Sequence, residues 1–559
     1  MHKVFPILKW LPKYKSSYLK NDLIAGITVA VLLIPQGMAY AMLAGLPPIA
    51  GLYAALIPLI TYTIFGSSRH LSVGPVAIDS LLVASGVGMI AHTGTEHFIM
   101  LAGLTAILVG IIQYTVGTLR LGFTVNFLST PVISGFTSAA ALIIATSQLK
   151  HILGLSIPLS TYIYTNLSNI IQNFSMINSS TLILGLSSIF FLVTIKKYLP
   201  AVPGALAVVI LSTVTVWFFD LDQHGILIVG DVPGGLPTFT IPEFDPTIIQ
   251  QLIPISLTIG LMSFMEAIAV GKKFAAKHNY TIDANLELKS VGLSNVSSGL
   301  FGGYPMAGSF SRTAVNSESG AKTQVSSLVN ALIIALTLLF LTPLFYYMPT
   351  AVLAAIIIVA VSGLFDLNEP KRLYKVKKSD FYVLLFSFLA TLFLGVQYGI
   401  FVGIAASLVM ILRRISNPHI AKMGQVPGTE TLRNFDRDKH AEEIEGLFIF
   451  RIDASLYFAN VAFLKDLIET NTLSCERKIK AVIFDASSVN EIDSSADTGL
   501  HDIADTLKKR GIELYLTNVK GPVRDMLKLS GFQEKLGKDH FFLNKKEAVQ
   551  HYIEELKDC

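Results

Sequence analysis

Residues 302–312 read Gly302-Gly-Tyr-Pro-Met-Ala-Gly-Ser-Phe-Ser-Arg312, and this stretch decides the fold of the chain. Its glycines and proline interrupt an apolar region, and a short segment, residues 309–319, follows. The stretch Ser72-Val-Gly-Pro75 similarly opens a short segment, residues 74–91. Gly/Pro-interrupted short segments at matching places in two halves of a chain are typical of transporters with inverted repeats. The sequence therefore predicts two half-helices that begin inside the membrane, where their unpaired N–H groups can face an anion.

Charged residues are unevenly distributed along the chain. Of its 559 residues, 52% are hydrophobic and 15% are charged, and the mean hydropathy is +0.58. Residues 1–412 carry 36 charged side chains, about 9%, and residues 413–559 carry 46, about 31%, where soluble domains average about 25%. The pattern indicates a membrane domain followed by a soluble domain, and it excludes a disordered, collagenous or disulfide-stapled chain. The net charge of +4 is too small to indicate a nucleic-acid partner.

Apolar segments recur fourteen times before the soluble part, and several are too short to cross about 30 Å of hydrocarbon alone. Matching segments three and ten divide the series into seven plus seven. The predicted segments are residues 22–44, 48–66, 74–91, 97–119, 123–149, 180–196, 202–219, 250–273, 288–301, 309–319, 323–347, 350–365, 379–396 and 399–415.

Basic residues support this count, because they gather in alternate connections between the segments. With a cytoplasmic N-terminus, the even-numbered connections are cytoplasmic and carry most of the Lys and Arg, as the positive-inside rule expects. These residues are Arg69, Arg120, Lys196, Lys197, the stretch from Lys272 to Lys277, Lys322 and the stretch from Lys371 to Lys378. Lys150 is the one clear exception. The pattern predicts an integral membrane protein with both termini in the cytoplasm.

The predicted domain boundaries follow from these patterns. Residues 1–20 form a basic, aromatic segment at the cytoplasmic membrane interface, and residues 21–416 form the transmembrane domain. Residues 417–440 are predicted as a linker, and residues 441–559 as a small α/β domain. Its two cysteines, Cys475 and Cys559, do not indicate a disulfide framework.

Arg312, Glu266 and Asp79 are the only charged side chains that we place among the helices. Charges inside membrane segments are costly and therefore mark functional candidates. Arg312 at the start of the tenth segment can offer a bidentate fork to an oxyanion; the alternative is a structural ion pair with Glu266 or Asp79. Asp79 lies one turn into its half-helix, where a helix N-terminus stabilises acidic residues, and we interpret it first as structural.

Glu266 lies in the middle of an apolar segment, Leu261-Met-Ser-Phe-Met-Glu266-Ala-Ile-Ala-Val270. Such a carboxyl group can bind and release a proton, which favours coupling of transport to protons. A sodium ligand and a permanently ionised partner of Arg312 are the alternatives for Glu266.

In the first segment, Gln36 and Tyr40 lie four residues apart on one helix face. Gln36 can donate a hydrogen bond to a substrate, although it can equally link two helices.

The C-terminal region alternates strand and helix patterns. We predict strands at residues 446–453, 481–485 and 513–517, and helices at 459–470, 496–510 and 523–530. Within residues 489–499, Ser494 and Ser495 are candidate phosphorylation sites, although simple capping of the following helix explains the motif more economically. The region contains no catalytic constellation and no phosphate-binding loop, so we expect neither an enzyme nor an ATP-driven pump, and no cofactor or metal.

Several motifs resemble the sulfate permease (SulP) family of anion transporters, which includes prestin and plant sulfate transporters. They are Pro35-Gln-Gly-Met-Ala-Tyr-Ala41 with Gly45-Leu-Pro-Pro-Ile-Ala-Gly-Leu-Tyr53, Ser68-Arg-His-Leu-Ser-Val-Gly-Pro-Val-Ala77, Ser309-Phe-Ser-Arg-Thr313 and Gly320-Ala-Lys-Thr-Gln324. The stretch Val489-Asn-Glu-Ile-Asp-Ser-Ser-Ala-Asp-Thr-Gly499 resembles the corresponding loop of STAS domains, in which one serine of bacterial regulators is phosphorylated.

The resemblance implies an all-α membrane domain of fourteen segments in a seven-plus-seven inverted repeat, followed by a cytoplasmic α/β STAS domain. It also implies a homodimer in which a core domain moves against a scaffold. The anion then lies between the third and tenth half-helices. The residues carried over to this site by motif are Gln36, Tyr40, Val76, Ala77, Ser309, Phe310, Ser311 and Arg312. Family members with Glu at the position of Glu266 resemble proton-coupled symporters.

These expectations combine into one functional hypothesis: an H⁺-coupled sulfate symporter in a plasma (bacterial inner) membrane, working by elevator-like alternating access. Bicarbonate, chloride or dicarboxylate transport, anion exchange and sodium coupling stay open, because a site built from backbone N–H groups discriminates weakly among anions. A nucleobase transporter does not need Arg312 beside a half-helix. A membrane-tethered signalling protein, with the soluble domain as its effector, belongs to a different functional class.

Overall fold

The computed structural model describes residues 5–123, 129–157, 162–199, 202–473 and 479–558. Cys475 and Cys559 lie outside these residues, so the structure does not test the prediction for them. The chain divides into two compact units, residues 1–407 and residues 408–559.

The first unit consists of helices and one short two-stranded sheet. Its helices are α1 (Ile7–Trp10), α2 (Leu19–Leu43), α3 (Pro48–Phe65), α4 (Ala77–Val87), α5 (Glu96–Thr118), α6 (Thr130–Leu153), α7 (Ile163–Gln172), α8 (Ser179–Tyr198), α9 (Gly204–Phe218), α10 (Pro246–Lys277), α11 (Ala284–Leu300), α12 (Phe310–Glu318), α13 (Val325–Leu336), α14 (Thr350–Ser362), α15 (Asn368–Val376), α16 (Lys378–Leu394) and α17 (Val396–Ser416), the last of which continues into the second unit.

Each of the fourteen predicted apolar segments coincides with a helix, which confirms the predicted fold class for this unit. Among the described residues, eight helical stretches are long and apolar enough to cross a membrane: α2, α3, α5, α6, α8, α10, α13 with its continuation to Phe345, and α17. The apolar helices α4, α9 and α14 are shorter. Helices α7 and α15 were not predicted, because they are short and lack a continuous apolar run.

Two half-helices begin side by side. Strand β1 (Val73–Gly74) precedes α4, strand β2 (Ala307–Gly308) precedes α12, and the two strands pair in antiparallel register. The backbone N–H of Ser309 extends the pairing by donating to the carbonyl oxygen of Ser72 at 3.0 Å. The pairing therefore places the N-termini of α4 and α12 next to each other.

The helices of the first unit pack mainly within two groups. The core group comprises α2–α5 and α10–α13, and the flanking group comprises α6, α8, α9, α14 and α16. Both half-helices belong to the core group, and each is the third apolar segment of its half of the chain.

Close contact between glycines holds α5 against α11 in the core group. A methyl group added to Gly292 would lie 2.7 Å from the carbonyl oxygen of Gly110 and 2.8 Å from the backbone nitrogen of Tyr114. Seven residues along each helix, Gly103 and Gly299 face each other in the same way. Small residues allow this approach in membrane helices, and the separation of seven keeps both contacts on one helix face.

We expect Gly292→Ala to destabilise the first unit by roughly 1–3 kcal/mol, because the added methyl group forces the two backbones apart. The thermal unfolding midpoint of the purified protein in detergent measures this. Gly363→Ala is the matched control, because its nearest neighbour would be the Ala360 carbonyl oxygen at 3.7 Å. Equal midpoints for the two variants would contradict the assigned contact.

Two further carboxylates are fully buried in the first unit, which corrects the prediction that only Asp79, Glu266 and Arg312 lie among the helices. Asp22 accepts hydrogen bonds from the backbone N–H groups of Lys322 at 2.7 Å and Thr323 at 3.1 Å. It therefore fixes the start of α2 to the loop between α12 and α13.

Glu287 is the second of these carboxylates. It accepts hydrogen bonds from the hydroxyl of Tyr62 at 2.6 Å and from the backbone N–H groups of Ser67 at 3.0 Å and Ser68 at 3.1 Å. This carboxylate ties α11 to the end of α3 and to the loop that leads into β1.

The second unit is an α/β domain with one six-stranded sheet in the order β4-β3-β5-β6-β7-β8. Strands β5 to β8 are parallel, whereas β3 is antiparallel to both of its neighbours. Its elements are β3 (Ile420–Gln425), β4 (Leu432–Asn434), β5 (Leu447–Ile452), α18 (Val461–Leu473), β6 (Ala481–Asp485), α19 (Ser494–Lys509), β7 (Glu513–Thr517), α20 (Gly521–Leu529), α21 (Phe532–Leu536), β8 (Phe541–Phe542) and α22 (Lys545–Asp558).

All six predicted elements of this domain are present, but the predicted linker requires correction. Strands β3 and β4 lie within residues 417–440, and β3 pairs with β5 from Ile420 opposite Ile452 to Met423 opposite Ile449. The sequence Ile420-Ala-Lys-Met-Gly-Gln425 alternates too weakly to predict a strand. The segment therefore contributes two strands to the sheet of the domain.

Asp485 is a fully buried carboxylate at the end of β6. It accepts hydrogen bonds from the Lys545 ammonium at 2.7 Å, the Asn518 side chain at 3.0 Å and the backbone N–H of Ser487 at 3.1 Å. Burial alone would raise the pKa of Asp485, but the hydrogen bond and charge of Lys545 hold it below its ordinary value. The depressed pKa contributes stability above the unfolded-state pKa of about 4, and that stability is lost as the pH falls through the lower folded-state pKa.

We expect Lys545→Met to destabilise the sheet of the second unit at pH 7 by about 3 kcal/mol, because a buried carboxylate loses its counter-charge. Hydrogen–deuterium exchange of the peptide that covers β6 in the full-length protein measures the change. Lys546→Met is the control, because the Lys546 ammonium pairs at the surface with Glu430 at 3.6 Å. If β6 were equally protected from exchange in both variants, the assigned role of the buried pair of Lys545 and Asp485 would be wrong.

Candidate functional site

A cavity of about 810 Å³ opens between the core group and the flanking group of helices. Its core-side wall comes from α2, α10 and the first turns of α4 and α12. Its opposite wall comes from α6, α8, α9 and α14. Most of the lining is apolar, so its few polar and charged side chains decide what it can bind.

Eight of the nine residues predicted for substrate or proton binding line this cavity. They are Gln36, Tyr40, Val76, Ala77, Glu266, Ser309, Phe310 and Ser311. Gln36 and Tyr40 are nearly buried on α2, and the side-chain oxygen of Gln36 has no hydrogen-bond partner among the described residues. The structure thus brings together residues that are up to 275 positions apart in the chain.

Arg312, the ninth residue, lies behind the lining instead of within it. Its side chain is fully buried, and its Nη1 donates a hydrogen bond to the carbonyl oxygen of Pro75 at 2.8 Å. The guanidinium group therefore reaches from the first turn of α12 to the entrance of α4. A methyl group added to Gly74, which has a φ of +147°, would lie 3.3 Å from Nη2, so a glycine leaves room for it.

Arg312 forms no ion pair with Glu266 or Asp79 within 4.0 Å in the described part of the chain. Its Nε and Nη2 are buried and have no hydrogen-bond acceptor among the residues that the structure describes. Buried charged donors are costly when unsatisfied. This geometry disfavours the alternative of a structural ion pair and leaves the N–H groups of two guanidinium nitrogens available to an anion.

Further hydrogen bonds tie the loop before β1 to α12. The hydroxyl of Thr313 accepts from the backbone N–H of Ser72 at 3.0 Å, and the side chain of Asn316 donates to the carbonyl oxygen of His70 at 2.9 Å. The hydroxyl of Ser309 caps α12 by accepting from the N–H of Arg312 at 3.5 Å. These contacts hold the two half-helices in one arrangement.

Glu266 faces the cavity from the middle of α10 and is only partly buried. No hydrogen bond or ion pair connects its carboxyl group to another residue within the described ranges. A carboxyl group that lines a cavity without a fixed partner can exchange a proton with water or with a bound ligand.

Asp79 is fully buried in the first turn of α4, and neither of its carboxyl oxygens has a hydrogen-bond partner among the residues described. The neighbouring Ser80 hydroxyl lies 3.2 Å from the hydroxyl of the fully buried Tyr304. We interpreted Asp79 as structural, but it forms no ion pair with another described residue that would support this interpretation. Its position at a helix N-terminus is the favourable interaction that the geometry provides.

Three polar lining residues were missed in the sequence, namely Thr28, Thr137 and Lys196. Lys196 lies at the end of α8, where we interpreted it only as a topology signal. A lysine at the end of an apolar segment fits the positive-inside rule equally well with or without a role in the cavity. No sequence pattern distinguishes these cases.

In the second unit, Asp493 caps α19 by accepting from the N–H of Ala496 at 2.8 Å. Ser494 and Ser495 are exposed in the first turn of this helix. The capping geometry agrees with the simpler interpretation of the motif, and phosphorylation of either serine stays a prediction.

Comparison with known proteins matches most of the chain. Residues 19–387 match the Sulfate permease family, and residues 438–548 match the STAS domain. The chain is 41% identical to sulfate transporter 4.1, chloroplastic, of Arabidopsis thaliana, over 98% of this chain and 82% of that protein. It is 34% identical to a probable sulfate transporter of Mycobacterium tuberculosis, over 97% of this chain and 96% of that protein.

Solved structures resemble the chain over a similar extent. The inward-facing murine Solute Carrier 26 family member A9 anion transporter superposes with a TM-score of 0.90 at 29% identity, covering 98% of this chain and 94% of that chain. The transmembrane domain of the cyanobacterial bicarbonate transporter BicA superposes with a TM-score of 0.61 at 24% identity, covering 71% of this chain and 98% of that domain, and shows likeness of fold alone.

We expect Arg312→Met to weaken binding of sulfate to the purified protein by about 10-fold to 100-fold, because hydrogen bonds to charged groups contribute roughly 1.5–3 kcal/mol. Arg312→Lys retains the charge but not the fork, so its affinity should lie in between. Isothermal titration calorimetry measures the affinities. Arg372→Met, which removes an exposed guanidinium group, is the control. Unchanged affinity in Arg312→Met would contradict an anion site here.

Proposed function

The chain belongs to the sulfate permease family, and from this premise we propose that it is a secondary transporter that carries sulfate across a membrane together with a proton. One observation carries the anion part of the proposal. The fully buried guanidinium group of Arg312 lies between the N-termini of two half-helices, behind the lining of a cavity, and two of its nitrogens have no acceptor among the described residues.

An anion at this place gains from three sources. The first N–H groups of a helix have no acceptor within that helix, and the helix dipole adds partial positive charge at the same end. Arg312 adds a full positive charge beside both helix ends. Hydroxyl groups of Ser309 and Ser311 line the same wall and can donate further hydrogen bonds.

Sulfate is proposed because relatives at 34–41% identity over nearly the whole chain are named as a sulfate transporter and a probable sulfate transporter. The geometry itself selects for negative charge and for oxygen acceptors, and these are properties of sulfate, bicarbonate and carboxylates alike. The backbone N–H donors do not distinguish among these anions, so the choice of sulfate rests on the relatives.

Proton coupling is proposed from the position of Glu266. When ionised, this carboxylate opposes the attraction of Arg312 for a divalent anion in the same cavity. When protonated, it leaves the charge of Arg312 uncompensated, so the site attracts sulfate more strongly. Proton binding and sulfate binding therefore favour each other, which is the thermodynamic requirement for symport.

Alternating access by an elevator-like movement is proposed from the packing of the helices. Both half-helices, Arg312 and Glu266 belong to the core group, whereas the opposite cavity wall belongs to the flanking group. The cavity lies along the boundary between two groups that pack mainly within themselves. A movement of the core group along this boundary would carry the complete site with it.

We further propose that the protein works as a homodimer in a plasma (bacterial inner) membrane with both termini in the cytoplasm. The distribution of basic residues supports the orientation. The membrane and the dimer come from resemblance to the family.

We expect an inward proton gradient to drive uptake of labelled sulfate into proteoliposomes, and Glu266→Gln to abolish this stimulation. The variant mimics the protonated carboxyl group, so it should still bind sulfate and exchange it across the membrane in the absence of a gradient. Glu318→Gln, which alters an exposed carboxylate on α12, should retain wild-type stimulation.

Other outcomes select among the alternatives. If a sodium gradient drives uptake by the wild type and a proton gradient does not, the coupling ion is sodium and the proposed proton coupling is wrong. Uptake of labelled bicarbonate, chloride or a dicarboxylate without uptake of sulfate would replace sulfate as the proposed substrate. Uptake of labelled uracil alone would favour a nucleobase transporter. An absence of transport in both wild type and control would contradict the proposed function altogether.

A further inference from the structure

Lys273 contacts the aromatic ring of a cavity-lining residue, although we interpreted it in the sequence only as a topology signal. Its ammonium nitrogen lies 4.5 Å from the centroid of the Phe310 ring. This distance is within the range of an attractive cation–π contact. Phe310 is the first residue of α12, lines the cavity and is 48% exposed.

A second contact draws the same ring toward α10. The ring of Phe274 lies 5.7 Å from that of Phe310, and the two planes are inclined by 48°. Phe274 is buried and Lys273 is exposed, so one neighbour provides apolar contact and the other provides charge. The Phe310 ring therefore rests against α10 on two adjacent residues.

This position matters for the first turn of α12. The backbone N–H of Phe310 belongs to the helix terminus that the proposed anion site uses. Another staggered rotamer would move the ring away from α10. Holding the ring against α10 leaves the N–H groups and the Ser311 hydroxyl open to the cavity.

We propose that Lys273 is a positioning residue that holds the Phe310 ring against α10 and so keeps the anion site accessible. The inference rests on the proposed function, since it concerns the same site. Lys273 lies seven residues beyond Glu266, two helical turns along the same face of α10. The helix that carries the proposed proton site thus also sets the position of the ring at the anion site.

A ligand-free measurement tests the contact by itself. 4-Fluorophenylalanine at position 310 of the full-length protein reports the environment of the ring by ¹⁹F NMR. We expect Lys273→Gln to shift this resonance and Lys272→Gln to leave it unchanged, because Lys272 carries the same charge on the same helix without contacting the ring. Equal spectra for Lys273→Gln and the wild type would overturn the proposal, whatever the protein transports.

A kinetic measurement tests the consequence. We expect Lys273→Gln to raise KM for sulfate uptake about twofold to fivefold at constant kcat, which corresponds to about 0.5–1 kcal/mol. Lys273→Arg should retain the wild-type KM. In a Phe310→Ala background, Lys273→Gln should have no further effect, because the ring through which it acts is gone.

Two results would contradict this mechanism. Equal increases in KM for Lys273→Gln and Lys272→Gln would assign the effect to general electrostatic attraction. An undiminished effect in the Phe310→Ala background would show that Lys273 acts without the ring. If wild-type protein neither binds nor transports sulfate, the proposed function fails, and the ¹⁹F measurement still decides the contact between Lys273 and Phe310.

Discussion

The pairing of two very short strands is the constraint on which the rest of the site depends. Val73 and Gly74 pair with Gly308 and Ala307, so two helices that are more than 230 residues apart in sequence begin at neighbouring points. Without this pairing, each helix would present an isolated N-terminus. With it, the two sets of unpaired N–H groups and the two dipoles act on the same volume.

The pairing also explains why a single arginine can contact both half-helices and supply charge to the proposed anion site. The guanidinium group of Arg312 can satisfy the carbonyl oxygen of Pro75 with one N–H group and keep others for a ligand, because it carries five donors in a planar fork. A lysine has three donors on a single nitrogen and lacks this planar fork. The buried arginine therefore joins the two halves of the chain and supplies charge to the site at once.

Most of the fold was predictable because long apolar runs and interrupting Gly and Pro residues are local features. The half-helices α4 and α12 follow from such interruptions. Asp22 and Glu287 were missed because the backbone N–H groups and hydroxyls that they bind are mostly distant in sequence, which no pattern of residue types reveals. Strand β3 was missed because its sequence alternates too weakly, and β4 was missed because it has only three residues.

Among the predicted site residues, the exact role of the charges depended on distances that sequence does not contain. An ion pair between Arg312 and Glu266 would have neutralised both groups whatever ligand was present. Without such a pair, Glu266 faces the cavity and Arg312 lies behind its lining with two nitrogens that have no acceptor among the described residues. In the proposed symport, the attraction for an anion depends on whether Glu266 carries a proton, and an occupied anion site in turn favours the protonated carboxyl group. The proposed coupling requires that the two charges do not neutralise each other, and the absence of an ion pair between them among the described residues meets this requirement.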